Sequence, residues 1–110
     1  MQTPTLGRVV LYTLSDADAD AINRRRADYA VFRRDADFKN QGAGGRNGHQ
    51  AYFGNSASGG QQYPALVVRV FGEPSPSVNL QVHLDGNDTF WATSCQEGDE
   101  AGQWSWPPRV

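Results

Sequence analysis

A seven-residue alternation of apolar and polar side chains is the feature that most limits what this chain can fold into. It covers Val78–Leu84, and a period of two is typical of a half-buried β-strand. The turn Asp85–Asp88 follows and contains Asp-Gly, one of the strongest short hairpin signals. Thr89–Cys95 can return as the partner strand. The sequence therefore predicts an antiparallel hairpin at the centre of the fold.

Three further extended segments are predicted around this hairpin. Leu6–Thr13 is rich in β-branched and aromatic residues, and Ala65–Phe71 is a nearly continuous apolar run; both compositions are typical of strands. The segment Gln103–Pro107 carries two tryptophans at a period of two, so both indoles point to the same side if this piece is extended.

One helix is predicted between the first two strands. Ser15 is a good N-cap, and Asp18 stands where it can complete a capping box, although Glu or Gln is the usual partner. The helix is expected to end near Arg34. Its expected core-facing stripe consists of Ile22, Tyr29 and Phe32.

The segment Asp35–Gln62 has the weakest signal. It contains seven glycines and few apolar residues, so we expect a long flexible loop. The order of elements predicts a mostly β (α+β) fold, either a small bent antiparallel sheet or an SH3-like barrel. The length of 110 residues fits a single domain over residues 1–110.

Charge and cysteine content exclude several classes of protein. The formal net charge is −2, whereas nucleic-acid-binding proteins usually carry a clear excess of positive charge. Cys95 is the single cysteine, so neither an intrachain disulfide nor a Cys/His zinc site is expected. The apolar runs are too short for a membrane span, and Met1–Pro4 does not resemble a signal peptide. We expect a cytoplasmic protein without membrane or nucleic-acid partners.

Both ends of the chain resemble a group of small bacteriophage proteins. Pro4–Tyr12 fits their opening Pro-Thr-x-Gly-Arg-(Ile/Val)-Val-x-Tyr, and Gly102–Pro107 fits their closing Trp-x-Trp-Pro. The resemblance includes Ile22–Arg26 and Leu84–Asn87 but nothing between residues 35 and 62. It implies a phage origin and a location in the host cytoplasm, and it implies no particular activity. Small phage proteins are often inhibitors, regulators or sequestering proteins, and by analogy some bind nucleotide-derived immune signals.

Aromatic and arginine residues form the candidate ligand site. Aromatic rings stack on bases, and arginine donates charge-assisted hydrogen bonds to phosphate. Because Lys39 is the only lysine among ten basic residues, the chain favours planar, bidentate anion contacts; a GC-rich genome explains the same bias. The candidate ligand-binding residues are Trp91, Trp104, Trp106, Arg109, Tyr12, Arg8 and Arg24. The structural alternative is that these tryptophans only pack in the core and that Arg24–Arg26 pair with nearby aspartates.

Catalytic chemistry has little support in the sequence. His49 lies in the glycine-rich segment, and His83 lies on the polar side of a predicted strand; no nucleophile is paired with a base at a recognisable spacing. We therefore predict a non-enzymatic protein without a cofactor or metal. The leading hypothesis is a homo-oligomeric phage protein that sequesters a nucleotide-derived host immune signal. The alternative is a protein-interaction module, either a virion or assembly accessory protein or an inhibitor of a host protein.

Overall fold

The computed structural model describes residues 3–39, 54–72 and 77–108, with the helix given by its backbone alone over residues 33–39. Its elements in chain order are β1 (Val9–Thr13), α1 (Asp16–Lys39), β2 (Gln62–Phe71), β3 (Ser77–His83), β4 (Thr89–Cys95) and β5 (Trp104–Ser105). The protein is thus mostly β with one helix, as the sequence predicts.

The five strands form one antiparallel sheet in the order β4-β3-β2-β1-β5. The predicted hairpin is present, since His83 on β3 pairs with Thr89 on β4. The longest pairing joins β2 to β3, with an irregularity between Val67 and Arg69. The sheet is not closed into a barrel, so an open antiparallel sheet replaces the SH3-like alternative.

One contact links the two edges of this open sheet. The chain that leaves β4 forms an isolated parallel bridge between Glu97 and Trp104 of β5. Two backbone hydrogen bonds support it: Gly98 N–H donates to the Trp104 carbonyl at 2.9 Å, and Trp104 N–H donates to the Gln96 carbonyl at 3.1 Å. The continuation of one edge strand therefore covers part of the opposite edge.

The core lies against one face of the sheet. Strand residues at alternate positions are buried there, among them Val10, Val67, Leu80, Val82 and Trp104. The alternation over 78–84 selects the inward residues correctly, because side chains of a strand point alternately to its two faces.

The first part of α1 closes one end of this core. The predicted capping box is confirmed: Asp18 N–H donates to Ser15 Oγ at 3.0 Å, and Ser15 N–H donates to Asp18 Oδ2 at 3.1 Å. Ile22 is fully buried, but Phe32 is 65% exposed. The predicted stripe is therefore wrong at Phe32, because the helix continues past the part of the body against which Ile22 packs.

The structure differs from the predicted loop over residues 35–62 at its start, where the helix is longer than expected. The helix continues to Lys39, and residues 40–53 lie outside the described residues, so the prediction of flexibility is untested there. Gly54–Gln61 is irregular but attached to the body: Ala57 is buried. The Asn23 side chain on the helix forms two hydrogen bonds with the backbone of Ala57: it donates to the carbonyl at 2.8 Å and accepts from the N–H at 3.0 Å.

Candidate functional site

The structure brings three of the predicted site residues together at the start of β1 and the end of β5. Trp104 and Trp106 pack edge to face, with ring centroids 5.2 Å apart and planes at 90°. The Arg8 guanidinium carbon lies 4.7 Å from the centroid of the Trp106 ring. We call these three residues the Arg8–Trp106 site.

The members of the Arg8–Trp106 site differ in burial. Trp104 is 1% exposed and belongs to the core, as the structural alternative predicts. Trp106 is partly buried against that core, and Arg8 is exposed. The prediction that both indoles point to one side agrees with their contact. The site therefore presents a cation and one half-covered aromatic ring to solvent, with a second ring beneath.

Two polar groups of this site have no partner in the described part of the chain. The Arg8 guanidinium makes no hydrogen bond or ion pair there and contacts the indole only. The buried Trp104 Nε1 also has no hydrogen-bond acceptor. An unsatisfied buried donor costs about 1–3 kcal/mol, and this cost applies to Trp104 Nε1; the exposed Arg8 guanidinium keeps its donors for an external anion.

Trp91 is not part of this arrangement. It is 52% exposed on β4 and pairs with Gln81, whereas its neighbour Ala92 is buried. Trp91 therefore lies on the opposite face of the sheet from Trp104, and β4 and β5 are at opposite ends of the strand order. The three tryptophans of the candidate ligand site therefore do not come together.

Tyr12 has a structural position rather than a ligand-facing one. It is 4% exposed, and its hydroxyl donates a 2.6 Å hydrogen bond to Asp18 Oδ2. Burial and this bond raise the pKa of the phenol far above its ordinary value. Tyr12 thereby joins the β1 strand to the helix cap.

The last two predicted site residues do not join the Arg8–Trp106 site in the described structure. Arg24 is exposed on α1, which packs beyond the C-terminal end of β1, whereas Arg8 precedes the first residue of that strand. Arg109 lies outside the described residues.

A second arginine cluster connects the helix to the hairpin turn, and sequence reasoning missed it. Arg26 is 8% exposed and holds Asp88 with two donors, Nε at 3.0 Å and Nη2 at 2.8 Å. Its other bonds go to the backbone carbonyls of Asn55 at 3.0 Å and Asp85 at 2.9 Å. Arg25 adds a 2.8 Å ion pair to Asp88. We call these residues the Arg26 cluster.

The opposite charges of Arg26 and Asp88 stabilise each other within the Arg26 cluster. Burial alone would raise the pKa of Asp88, but hydrogen bonds from Arg26 and Arg25 outweigh it and lower that pKa. The bond to Asp88 raises the pKa of Arg26. A side chain at Gly54 would collide with the Asp85 carboxylate, so this glycine lets the loop approach the turn. The cluster is a saturated ion pair that joins three segments.

The sequence carried no local signal for this cluster, because its members are far apart along the chain. The expected partners of the arginines were aspartates of the helix and its end. The partner found is Asp88, which is 62 residues away from Arg26.

Neither a cluster of metal-ligating side chains nor a membrane-spanning helix is found among the described residues. No three His, Cys, Asp or Glu side chains among them gather as a metal site requires. Burial raises the pKa of the Cys95 thiol to about 11, so this thiol is un-ionised at neutral pH. No helix in the described ranges combines the length and apolar composition that crossing a bilayer requires.

Comparison of the chain with protein-family models, with curated proteins and with solved structures finds no match. Functional inference therefore depends on the chemistry of the two arginine sites.

Proposed function

We propose that this protein is a non-enzymatic binding protein that captures a small anionic molecule carrying an aromatic ring. The proposed ligand belongs to the nucleotide-derived signals of bacterial immunity, in keeping with the resemblance of the chain ends to phage proteins. The observation that carries the proposal is the Arg8 guanidinium, which lies over the Trp106 indole and has no partner in the described part of the chain.

The energetics of such a site are favourable. A charge-assisted hydrogen bond from arginine to phosphate contributes about 1.5–3 kcal/mol, and stacking of a base on an aromatic ring contributes about 1–3 kcal/mol. Contact with Trp106 already restricts Arg8, so less side-chain entropy is lost when an anion binds.

Isothermal titration calorimetry with a panel of nucleotides tests the proposal. The panel contains adenosine monophosphate, a cyclic adenine dinucleotide and ADP-ribose. Two half-ligands serve as controls: adenosine, which lacks the phosphate, and ribose 5-phosphate, which lacks the base. We expect a phosphorylated member to bind and both half-ligands to bind at least about tenfold more weakly, which corresponds to about 1.4 kcal/mol.

Matched variants locate the binding site. Arg8→Gln and Trp106→Leu are expected to weaken binding at least about tenfold, whereas Arg24→Gln and Trp91→Leu leave it unchanged. Arg24 and Trp91 are exposed residues of the same types outside the site. Binding that survives Arg8→Gln, or a panel in which nothing binds, contradicts the proposal.

A protein-interaction module is the second candidate, because Trp91 is 52% exposed on an edge strand whose outer backbone groups have no neighbouring strand in the described sheet. Exposed tryptophans and open strand edges are common at protein interfaces. In a phage infection assay, loss of activity in Trp91→Glu with full activity in Trp106→Leu would favour this candidate. The reverse result would favour ligand capture.

A further inference from the structure

The face of the sheet that points away from the core carries exposed apolar residues beside the polar side chains of β3. The register puts Val9, Leu66, Gln81 and Trp91 in one row across four strands. Val9 is 51% and Trp91 is 52% exposed. We call this surface the outer face. An antiparallel sheet with one solvated face normally carries polar residues there, so this row indicates a covered surface.

Further apolar side chains extend the row along the strands. By strand alternation and exposure, the apolar residues of the outer face are Val9, Leu11, Pro64, Leu66, Phe71 and Trp91. Arg69 shares the face, and its guanidinium lies 5.5 Å from the Phe71 ring centroid. None of the five strands contains an Asp or Glu. The face therefore combines apolar residues with polar ones, among them Asn79, Gln81, His83 and Thr89, and it has little charge for an acidic or basic partner to recognise.

The described part of the chain supplies no cover for this face. The helix packs elsewhere, because Ile22 belongs to the core cluster on the inner side of the sheet. Side chains that remain half exposed in the row show that nothing described lies over them. Exposed apolar patches such as the one formed by Val9, Leu11, Pro64 and Leu66 on β1 and β2 mark interaction sites.

We propose that a second copy of this chain covers the outer face, sheet against sheet. A face that mixes apolar and polar side chains with little charge has about the composition of a standard interface, and a two-fold axis can set its apolar residues against those of a second copy. Five strands spaced about 4.8 Å apart and about 20 Å long have a plan area of about 500 Å². Pleated side chains add accessible area, which brings the face close to the ~800 Å² per partner of a standard interface.

The arrangement of the row suits a two-fold dimer. Trp91 stands on the edge strand β4, and Val9 stands three strands away on β1. In a two-fold dimer the interface is formed by the same surface of both copies. An axis parallel to the strands then places the large indole of each copy against the smaller Val9 of the other. This inference does not depend on the proposed ligand, because the Arg8–Trp106 site lies on the inner side of the sheet.

Sedimentation velocity from about 1 to about 100 μM, a range that brackets a micromolar dissociation constant, tests the proposal. The wild-type protein is expected to dimerise within this range. Trp91→Glu and, independently, Val9→Glu are expected to weaken self-association at least about 100-fold, because each buries an unpaired charge in the interface. Circular dichroism checks that both variants stay folded; both positions are half exposed.

Phe32→Glu is the matched control. Phe32 is 65% exposed on the helix, away from the outer face, so this variant is expected to dimerise as the wild type does. A wild-type protein that remains monomeric throughout overturns the proposal and leaves the face to the protein-interaction alternative. A dimer that survives both Trp91→Glu and Val9→Glu, or that only Phe32→Glu dissociates, also overturns it.

Discussion

Arg26 and Arg8 differ in what their guanidinium donors bond. Those of Arg26 bond groups of the protein, whereas those of Arg8 bond no group of the described structure. Arg26 is 8% exposed, and its guanidinium bonds the Asp88 carboxylate and two backbone carbonyls. Arg8 is exposed, and in the described structure its guanidinium contacts only the Trp106 ring. Both residues carry the same charged group, so residue type alone does not separate a structural role from a functional one.

The burial and pairing of a guanidinium distinguish a structural arginine from a candidate ligand-binding one. A buried guanidinium must satisfy its donors within the protein, because leaving a buried charge unpaired is costly. Once its donors are occupied, it has little capacity for a ligand. An exposed guanidinium held over an aromatic ring keeps its donors for an external anion at little cost to the fold. The Arg26 cluster is accordingly a structural element, and the Arg8–Trp106 site is the functional candidate.

The largest expected effect is that of Arg26→Ala on stability. The substitution leaves the mostly buried Asp88 with only Arg25 as a charged partner and frees two backbone carbonyls. Breaking a buried pair by removing one member typically costs about 3–5 kcal/mol, a large fraction of the stability of a small domain. Urea unfolding followed by circular dichroism measures this loss.

Arg25→Ala is the control for that measurement. Arg25 contacts the same carboxylate, but its side chain is 47% exposed, and exposed ion pairs contribute about 0–1 kcal/mol. Equal losses in the two variants would contradict the structural role assigned to Arg26.

A smaller, pH-dependent effect is expected for Asp88→Asn. The folded protein lowers the pKa of Asp88, so the stability that its carboxylate supplies is fully present above the unfolded pKa of about 3.9. That contribution is lost as the pH falls through the folded pKa. We expect Asp88→Asn to cost about 2 kcal/mol at pH 7 and the difference from wild type to shrink below pH 4. Urea unfolding across pH 2–7 measures it; a constant difference would contradict the assignment.

Local pattern was sufficient to predict most of the fold. The alternation over Val78–Leu84 specified one strand and its inward side chains, and Ser15 with Asp18 specified the helix start. The helix end was missed because a run without glycine or proline continues to Lys39, and no local signal stops it at Arg34. Phe32 was misplaced because periodicity identifies a helix face but not how far the body extends beside it.

The candidate site was only partly predictable, for a different reason. Trp104 and Trp106 share a side by strand alternation, but Trp91 was grouped with them on residue type alone. Which face Trp91 occupies depends on the pairing Gln81 to Trp91, a non-local fact. The pairing of Arg26 with Asp88 is also non-local, since it joins helix and hairpin turn across 62 positions.

The smallest expected stability effect, and the sharpest contrast with Arg26, is that of Arg8→Gln. An exposed cation–π contact contributes about 0.5–1 kcal/mol, so this variant should unfold within about 1 kcal/mol of wild type. Nucleotide binding should nevertheless fall at least about tenfold, since glutamine has neither the charge nor the fork of donors. Arg8→Lys should bind with intermediate affinity because it keeps the charge alone. Urea unfolding and calorimetry on the same preparations measure both quantities. A loss of more than about 2 kcal/mol would give Arg8 the structural role of Arg26 and remove the distinction between the two sites.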